Sequence, residues 1–214
     1  MKNNEKELRF FDIQEMRAID ETNRTVSGYA AIFDSEIEIN SIFGTFREKI
    51  SRGAFDESIK EGRVLAVWNH NTDLVLGSQR NNSLSLLEDD KGLRFDLNIA
   101  NTTYGRDAFE NIRNGNVSGM SFGFTVKKQS WVEEKNKDPL RNIEKVNLYE
   151  VSPTGFPAYP ATSVSARSSD EIFKEFLDIQ EKQKVQSENV QILIQRAKLL
   201  EKELKNSHFR AMHS

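Results

Sequence analysis

Gly92-Leu93-Arg94-Phe95-Asp96-Leu97-Asn98-Ile99 alternates apolar and polar side chains, the mark of a strand with one face in a core and the other in water. Immediately upstream, Asp89-Asp90-Lys91-Gly92 is hairpin-turn chemistry, and Ser83 to Leu87 supplies the partner strand. Further back, Val64-Leu65-Ala66-Val67-Trp68 is a continuous apolar run, as expected of a strand buried on both faces. Strands are also expected at Val26 to Phe33, Val117 to Lys127 and Ile143 to Val151. Ala54 to Glu61, closed by Gly62, and Arg106 to Asn114, closed by Gly115, read as short helices with glycine just past their ends. Ala108, Phe109 and Ile112 form the apolar stripe of the second. The fold class these elements imply is α+β: a mainly antiparallel, barrel-like β core with a few helices, plus a long C-terminal helix.

Turn residues set the limits of that core. All 11 glycines and all 4 prolines of the 214-residue chain lie between Gly28 and Pro160. A region without either has few tight turns. The expected organisation is an N-terminal segment at 1–24, a folded domain at 25–165 and a charged helical extension at 166–214. In the extension, Ile172, Phe176, Ile179, Gln183, Gln186, Val190, Leu193, Ala197, Leu200 and Leu204 alternate spacings of four and three, an unbroken heptad frame. Between Asp170 and Lys205 lie 15 charged residues. Such a helix either folds back on the domain or self-associates through residues 170–205.

Composition removes several function classes. With no cysteine, disulfide scaffolds, thiolate zinc sites and Cys nucleophiles are excluded. A formal net charge of -3 gives no global attraction to nucleic acid or anionic membrane. No stretch approaches the ~20 apolar residues of a membrane-spanning helix. The opening Met1 to Glu7 lacks the apolar core of a signal peptide. HExxH, calcium-loop, GxxxxGK[ST] and GxGxxG patterns are all absent. No metal or cofactor is therefore expected.

His208 and His213 belong to the tail, which leaves His70, in Trp68-Asn69-His70-Asn71, as the domain's histidine. Without metal or thiol chemistry, a lone histidine is suited to general-base catalysis with a serine nucleophile. Gly115-Asn116-Val117-Ser118-Gly119-Met120-Ser121-Phe122-Gly123-Phe124 is the serine-bearing passage with unusual surroundings. If it is extended, Met120, Phe122 and Phe124 share one face, and Ser121 and Gly123 share the other, which glycine clears of bulk. In Val146-Asn147-Leu148-Tyr149-Glu150-Val151, strand alternation puts Glu150 on the side of Val146 and Leu148, where a carboxylate needs a partner. A histidine would serve. Asp73, with its loop position, is a competing orienter.

These pieces resemble the prohead (capsid maturation) proteases of tailed bacteriophages, a family regarded as related in fold to the herpesvirus assembly proteases. The resemblance runs from about Gly28 to Arg167. It rests on Gly28-Tyr29-Ala30-Ala31-Ile32-Phe33, Ile50-Ser51-Arg52-Gly53-Ala54-Phe55, Trp68-Asn69-His70-Asn71 with Leu76-Gly77, and the Gly115 to Phe124 passage. Leu148-Tyr149-Glu150-Val151-Ser152-Pro153 and Pro157-Ala158-Tyr159-Pro160-Ala161-Thr162 complete it.

The resemblance implies a serine endopeptidase with Ser121 as nucleophile, His70 as base and Glu150 as the residue that orients the imidazole. Ser118 is the alternative nucleophile. Ser121-Phe122-Gly123 fits the family pattern of serine, bulky residue and glycine, whereas Ser118-Gly119 does not. Asn71 stands where relatives often carry Asp, so Glu150 would orient His70 alone. The resemblance further implies action in the host cytoplasm inside the viral procapsid. The substrates would be segments of the major capsid protein and scaffold, and the protease itself, with Ala161 to Ser169 as an expected self-cleavage region. Two other readings are a non-catalytic scaffold protein working through its helix, and an unrelated serine hydrolase. Gly119-Met120-Ser121-Phe122-Gly123 matches the GxSxG pattern of the latter, but without the strand-to-helix turn that pattern requires.

Overall fold

The computed structural model describes residues 5–11, 16–155 and 169–211. In chain order the elements are β1 (Glu7–Phe11), β2 (Arg17–Asp20), β3 (Thr25–Ile32), β4 (Ile37–Ser41), β5 (Gly44–Ile50) and α1 (Asp56–Glu61). There follow β6 (Leu65–Trp68), β7 (Asn71–Ser78), β8 (Leu84–Glu88), β9 (Gly92–Asn98), α2 (Thr103–Arg113), β10 (Gly119–Val132), β11 (Leu140–Thr154) and α3 (Ser169–Ala211). The chain divides into two compact units, Met1–Glu171 and Ile172–Ser214. Mostly strands with a long C-terminal helix, this is an α+β protein.

The first unit holds two sheets among the described residues. A seven-stranded sheet runs β1-β10-β11-β5-β4, with β6 joined to β11 and β7 to β6. A four-stranded antiparallel sheet runs β2-β3-β9-β8. The hairpin read from Ser83 to Ile99 is β8-β9, and its turn closes through the Asp89 amide on the Gly92 carbonyl at 3.0 Å. Between the sheets, Phe55, Phe95, Phe122, Phe124, Leu76, Leu93 and Met120 are buried in one apolar core. A side-chain cap sets the start of α2. In α2 the Thr102 hydroxyl accepts from the Gly105 amide, so the helix begins three residues before the expected Arg106. Gly62 ends α1 in the left-handed conformation at φ 65°, as its position predicted.

The expected barrel does not close, because β1 and β4 end the larger sheet without pairing to each other. Buried charged side chains nevertheless tie β1 to β5 and β11. Arg9 of β1 reaches Glu48 of β5 through its Nε and, at 2.8 Å, its Nη2, and reaches Glu7 at 2.8 Å. Arg141 of β11 donates to Glu7 at 2.8 and 2.9 Å, to Glu48 at 2.7 Å and to Gln129 at 2.7 Å. All four charged groups are buried. Burial opposes charge on both arginines, but Glu48 and Glu7 outweigh it and hold the guanidinium groups more firmly protonated than usual. The segment 1–24, read as lying outside the domain, thus contributes β1 to the large sheet and β2 to the small one.

The second unit is helical from Ile172 to Ala211. Of the heptad positions, Val190, Leu193 and Leu200 are exposed. No helix among the described residues is long and apolar enough to cross a membrane. Residues 161–168 of the expected self-cleavage region lie outside the described residues, as do His213 and the side chains of Leu204 and His208.

Candidate active site

Three strands bring the sequence-predicted residues together. Ser121 sits near the start of β10, between Phe10 of β1 on one side and Ser152 of β11 on the other. Two residues on, Gly123 lies between Leu8 and Glu150. Glu150 in turn pairs in parallel with Leu65 of β6. Directly opposed residues share a face of a sheet, so Ser121, Gly123, Glu150 and Ser152 stand on one face. Met120, Phe122 and Phe124 enter the core on the other, as strand alternation predicted.

Glu150 reaches that face by a route alternation did not give. Gly123 pairs with Glu150 while its neighbour Phe124 pairs with Leu148, which leaves Tyr149 as an extra residue on β11. This β-bulge shifts the phase of the strand by one. Val146, Leu148 and Val151 face the core, and Glu150 faces Ser121 instead of the Val146–Leu148 side expected for it. The exposed Tyr149 is held by a 3.0 Å hydrogen bond to Thr125.

His70 comes from a tight turn rather than a loose strand end. Trp68 of β6 pairs with Asn71 of β7, so Asn69 and His70 form a two-residue hairpin turn. Both have positive φ, 50° and 61°, as a type I′ hairpin turn requires. The His70 Nδ1 is 2.7 Å from Glu150 Oε1. The ring is 24% exposed and the carboxylate buried. Lys6 Nζ is 3.3 Å from the same oxygen. Burial would raise the Glu150 pKa, but hydrogen bonds from His70 and Ser152 and the charges of His70 and Lys6 prevail and hold it below its ordinary value of 4.5.

A lowered carboxylate pKa means stability present above the ordinary value and lost as pH falls through the lowered one. Glu150→Gln should therefore be less stable than the parent protein at neutral pH. The gap should narrow as pH falls below 4.5, as read by thermal unfolding of both proteins across that range.

Ser121 is brought to the same face but is not bonded to His70. Its hydroxyl, in a residue only 3% exposed, donates to the Arg9 carbonyl of β1 at 2.9 Å. Nor is its face clear of bulk. The space a side chain would fill at Gly119 is taken by the Phe10 ring, and that at Gly123 by the Glu150 carboxylate and Lys6, each within 2.3 Å of a Cβ built there. A side chain at 123 would have to displace the Glu150 carboxylate and Lys6 from where they lie. Ser118, by contrast, is exposed in the loop before β10. Asp73 is exposed on β7, its amide bonded to the Asn71 side chain at 2.9 Å.

Two participants escaped the sequence reading. Ser152 follows Glu150 by two residues on one face, so alternation from Glu150 would have found it. Lys6 has no comparable signal, since β1 was not expected to reach the site. No cluster of His, Asp or Glu suited to a metal ion occurs among the described residues.

The family model for caudovirus prohead serine protease matches residues 12–175. No curated protein matches the chain. Among solved structures, the bacteriophage T4 capsid assembly protease, gp21, is similar at 9% identity and a TM-score of 0.40, over 70% of this chain and 98% of that one.

Proposed function

The chain belongs to the caudovirus prohead serine protease family, and from that premise we propose that Ser121 is its nucleophile, His70 its general base and Glu150 the carboxylate that orients the base. The observation that carries this reading is the 2.7 Å contact of His70 Nδ1 with a buried Glu150 on the sheet face that Ser121 shares. An ionised Glu150 can only accept, so the Nδ1 carries the proton and the Nε2 is left as the acceptor. The Nε2 takes the Ser121 hydroxyl proton as the oxygen attacks a peptide carbonyl, then returns it to the leaving amine. Glu150 keeps its charge and stabilises the imidazolium in between. Before this can happen the Ser121 hydroxyl must turn from the Arg9 carbonyl to His70. Ser118 is set aside as nucleophile. It lies exposed in the loop before β10, outside the strand whose register puts Ser121 on the face of Glu150.

The substrates proposed from family membership are segments of the major capsid protein and scaffold, cut within the procapsid in the host cytoplasm, together with the protease itself. A core like that of the herpesvirus assembly proteases is proposed from the resemblance of the motifs. Self-association through 170–205 is proposed from the heptad frame and its exposed Val190, Leu193 and Leu200.

Co-expression with a major capsid protein bearing an N-terminal segment tests the assignment. Shortened capsid protein is expected from the parent protease and from Ser118→Ala, and none from Ser121→Ala. Shortened product from Ser121→Ala but not from Ser118→Ala would move the nucleophile to Ser118. Product from both variants would end the serine mechanism.

A further inference from the structure

We propose that Ser152 is a positioning residue of this site: its buried hydroxyl joins the turn that carries the base to the carboxylate that orients it. The inference rests on the assignment of Ser121, His70 and Glu150 made above. Ser152 Oγ donates to Glu150 Oε2 at 2.8 Å and accepts from the His70 backbone N–H at 3.1 Å. The residue is 0% exposed. One oxygen thus fixes the far side of the carboxylate and the backbone of the histidine, while the near side of the carboxylate meets the imidazole.

The turn needs such a support. Two consecutive non-glycine residues at positive φ are sparsely populated backbone, and persist where surroundings over-determine them. Here both turn amides are held by successive residues of β11: Asn69 N–H by the Pro153 carbonyl at 3.3 Å, and His70 N–H by the Ser152 hydroxyl. The carboxylate needs it as well. Lys6 lies 3.3 Å from Glu150 Oε1, the same oxygen that meets His70. With Oε2 anchored by Ser152, the plane of the carboxylate is fixed and Oε1 stays on the imidazole. With the anchor gone, the carboxylate is free to swing toward the ammonium, and the imidazole loses its orientation. The hydroxyl proton of Ser152 is committed to Glu150, so the residue acts through its neighbours and not on substrate. Its place opposite Ser121 on β11 sets this pair of bonds one strand from the nucleophile.

The test has two arms, each on the full chain. In the first, a fluorophosphonate probe reports how strongly the nucleophilic serine is activated. For Ser152→Ala the maximal labelling rate is expected to fall by about 10–100-fold, with the half-saturating probe concentration within about twofold of the parent, because a misplaced base costs rate rather than binding. Ser152→Thr, which keeps the hydroxyl, should restore most of the rate. In the second arm, performed in a Ser121→Ala background that cannot react, proton NMR follows the far-downfield Nδ1–H of His70. That resonance should be present with Ser152, and be lost or shifted upfield with Ser152→Ala at unchanged thermal stability. An unchanged resonance, or a labelling rate that falls only in proportion to the folded fraction, overturns the proposal. Absence of labelling in the parent protein would count against Ser121 as nucleophile, while the NMR arm still decides the role of Ser152.

Discussion

His70→Ala is expected to slow peptide cleavage by at least about 10⁴-fold, and adding Ser121→Ala is expected to slow it no further. In the proposed mechanism the two residues share one proton transfer, so removing either abolishes the same step. What remains is the catalysis owed to binding and to groups outside the pair. The size of the effect follows from the site. A serine hydroxyl is a weak nucleophile at its ordinary pKa and needs an adjacent base. Here the side chains nearest the Glu150 carboxylate are His70, Ser152 and Lys6. Of these, an imidazole is the group suited to accept and release a proton near neutral pH. Rates of capsid-protein shortening by the purified single and double variants measure the outcome. Losses that multiply in the double variant would mean that the two residues act independently. Retention of more than about a hundredth of the rate by His70→Ala would mean that another base is used.

The same residues show why the site was partly legible. Candidate residue types stand out in a sequence by scarcity: one domain histidine and no cysteine single out His70 and serine before any geometry is known. Alternation along Met120 to Phe124 correctly separates a core face from a face with Ser121, because that stretch of β10 is regular up to Gly123. What alternation could not carry is a phase change. One extra residue, Tyr149, turns Glu150 from the core side to the side of Ser121, and nothing in Leu148-Tyr149-Glu150 marks a bulge, which glycine marks only in some classes. The hairpin turn at Asn69-His70 was hidden for a related reason. Its positive φ angles are adopted by residues other than the expected Asn-Gly, and are stabilised by contacts to β11 that lie more than 80 residues away in sequence. β1 was illegible because its charged side chains point inward, where pattern reading expects apolar ones. Glu7 and Arg9 look like a solvated segment until Glu48 and Arg141 are known to meet them.

That inward charge leads to the second large effect: Arg141→Met is expected to destabilise the protein by about 3–5 kcal/mol. The four buried groups are neutral as a set, Arg9 and Arg141 against Glu7 and Glu48. Removing Arg141 leaves two carboxylates facing one guanidinium, a buried net negative charge with Glu7 Oε1 stripped of its 2.9 Å donor. Leaving a buried charge uncompensated is what makes the single substitution costly, since a complete buried set only offsets its own desolvation. Replacing all four together (Glu7→Leu, Arg9→Met, Glu48→Leu and Arg141→Met) should therefore recover most of the loss. Denaturant unfolding of the parent, the single variant and the quadruple variant gives the comparison. If the quadruple variant is as unstable as the single one, packing or register at these positions matters more than charge balance. The consequence reaches the site through β1. The strand that Arg9 anchors also supplies the carbonyl that holds the Ser121 hydroxyl, and Lys6 beside Glu150 lies one residue before it. Arg141→Met should accordingly raise amide hydrogen exchange in Leu8 to Phe10 and in the β10 residues paired with them, Ser121 to Gly123, beyond the rise in the small sheet β2-β3-β9-β8. Equal rises in both sheets would show instead that the ion set supports the whole unit and not β1 in particular.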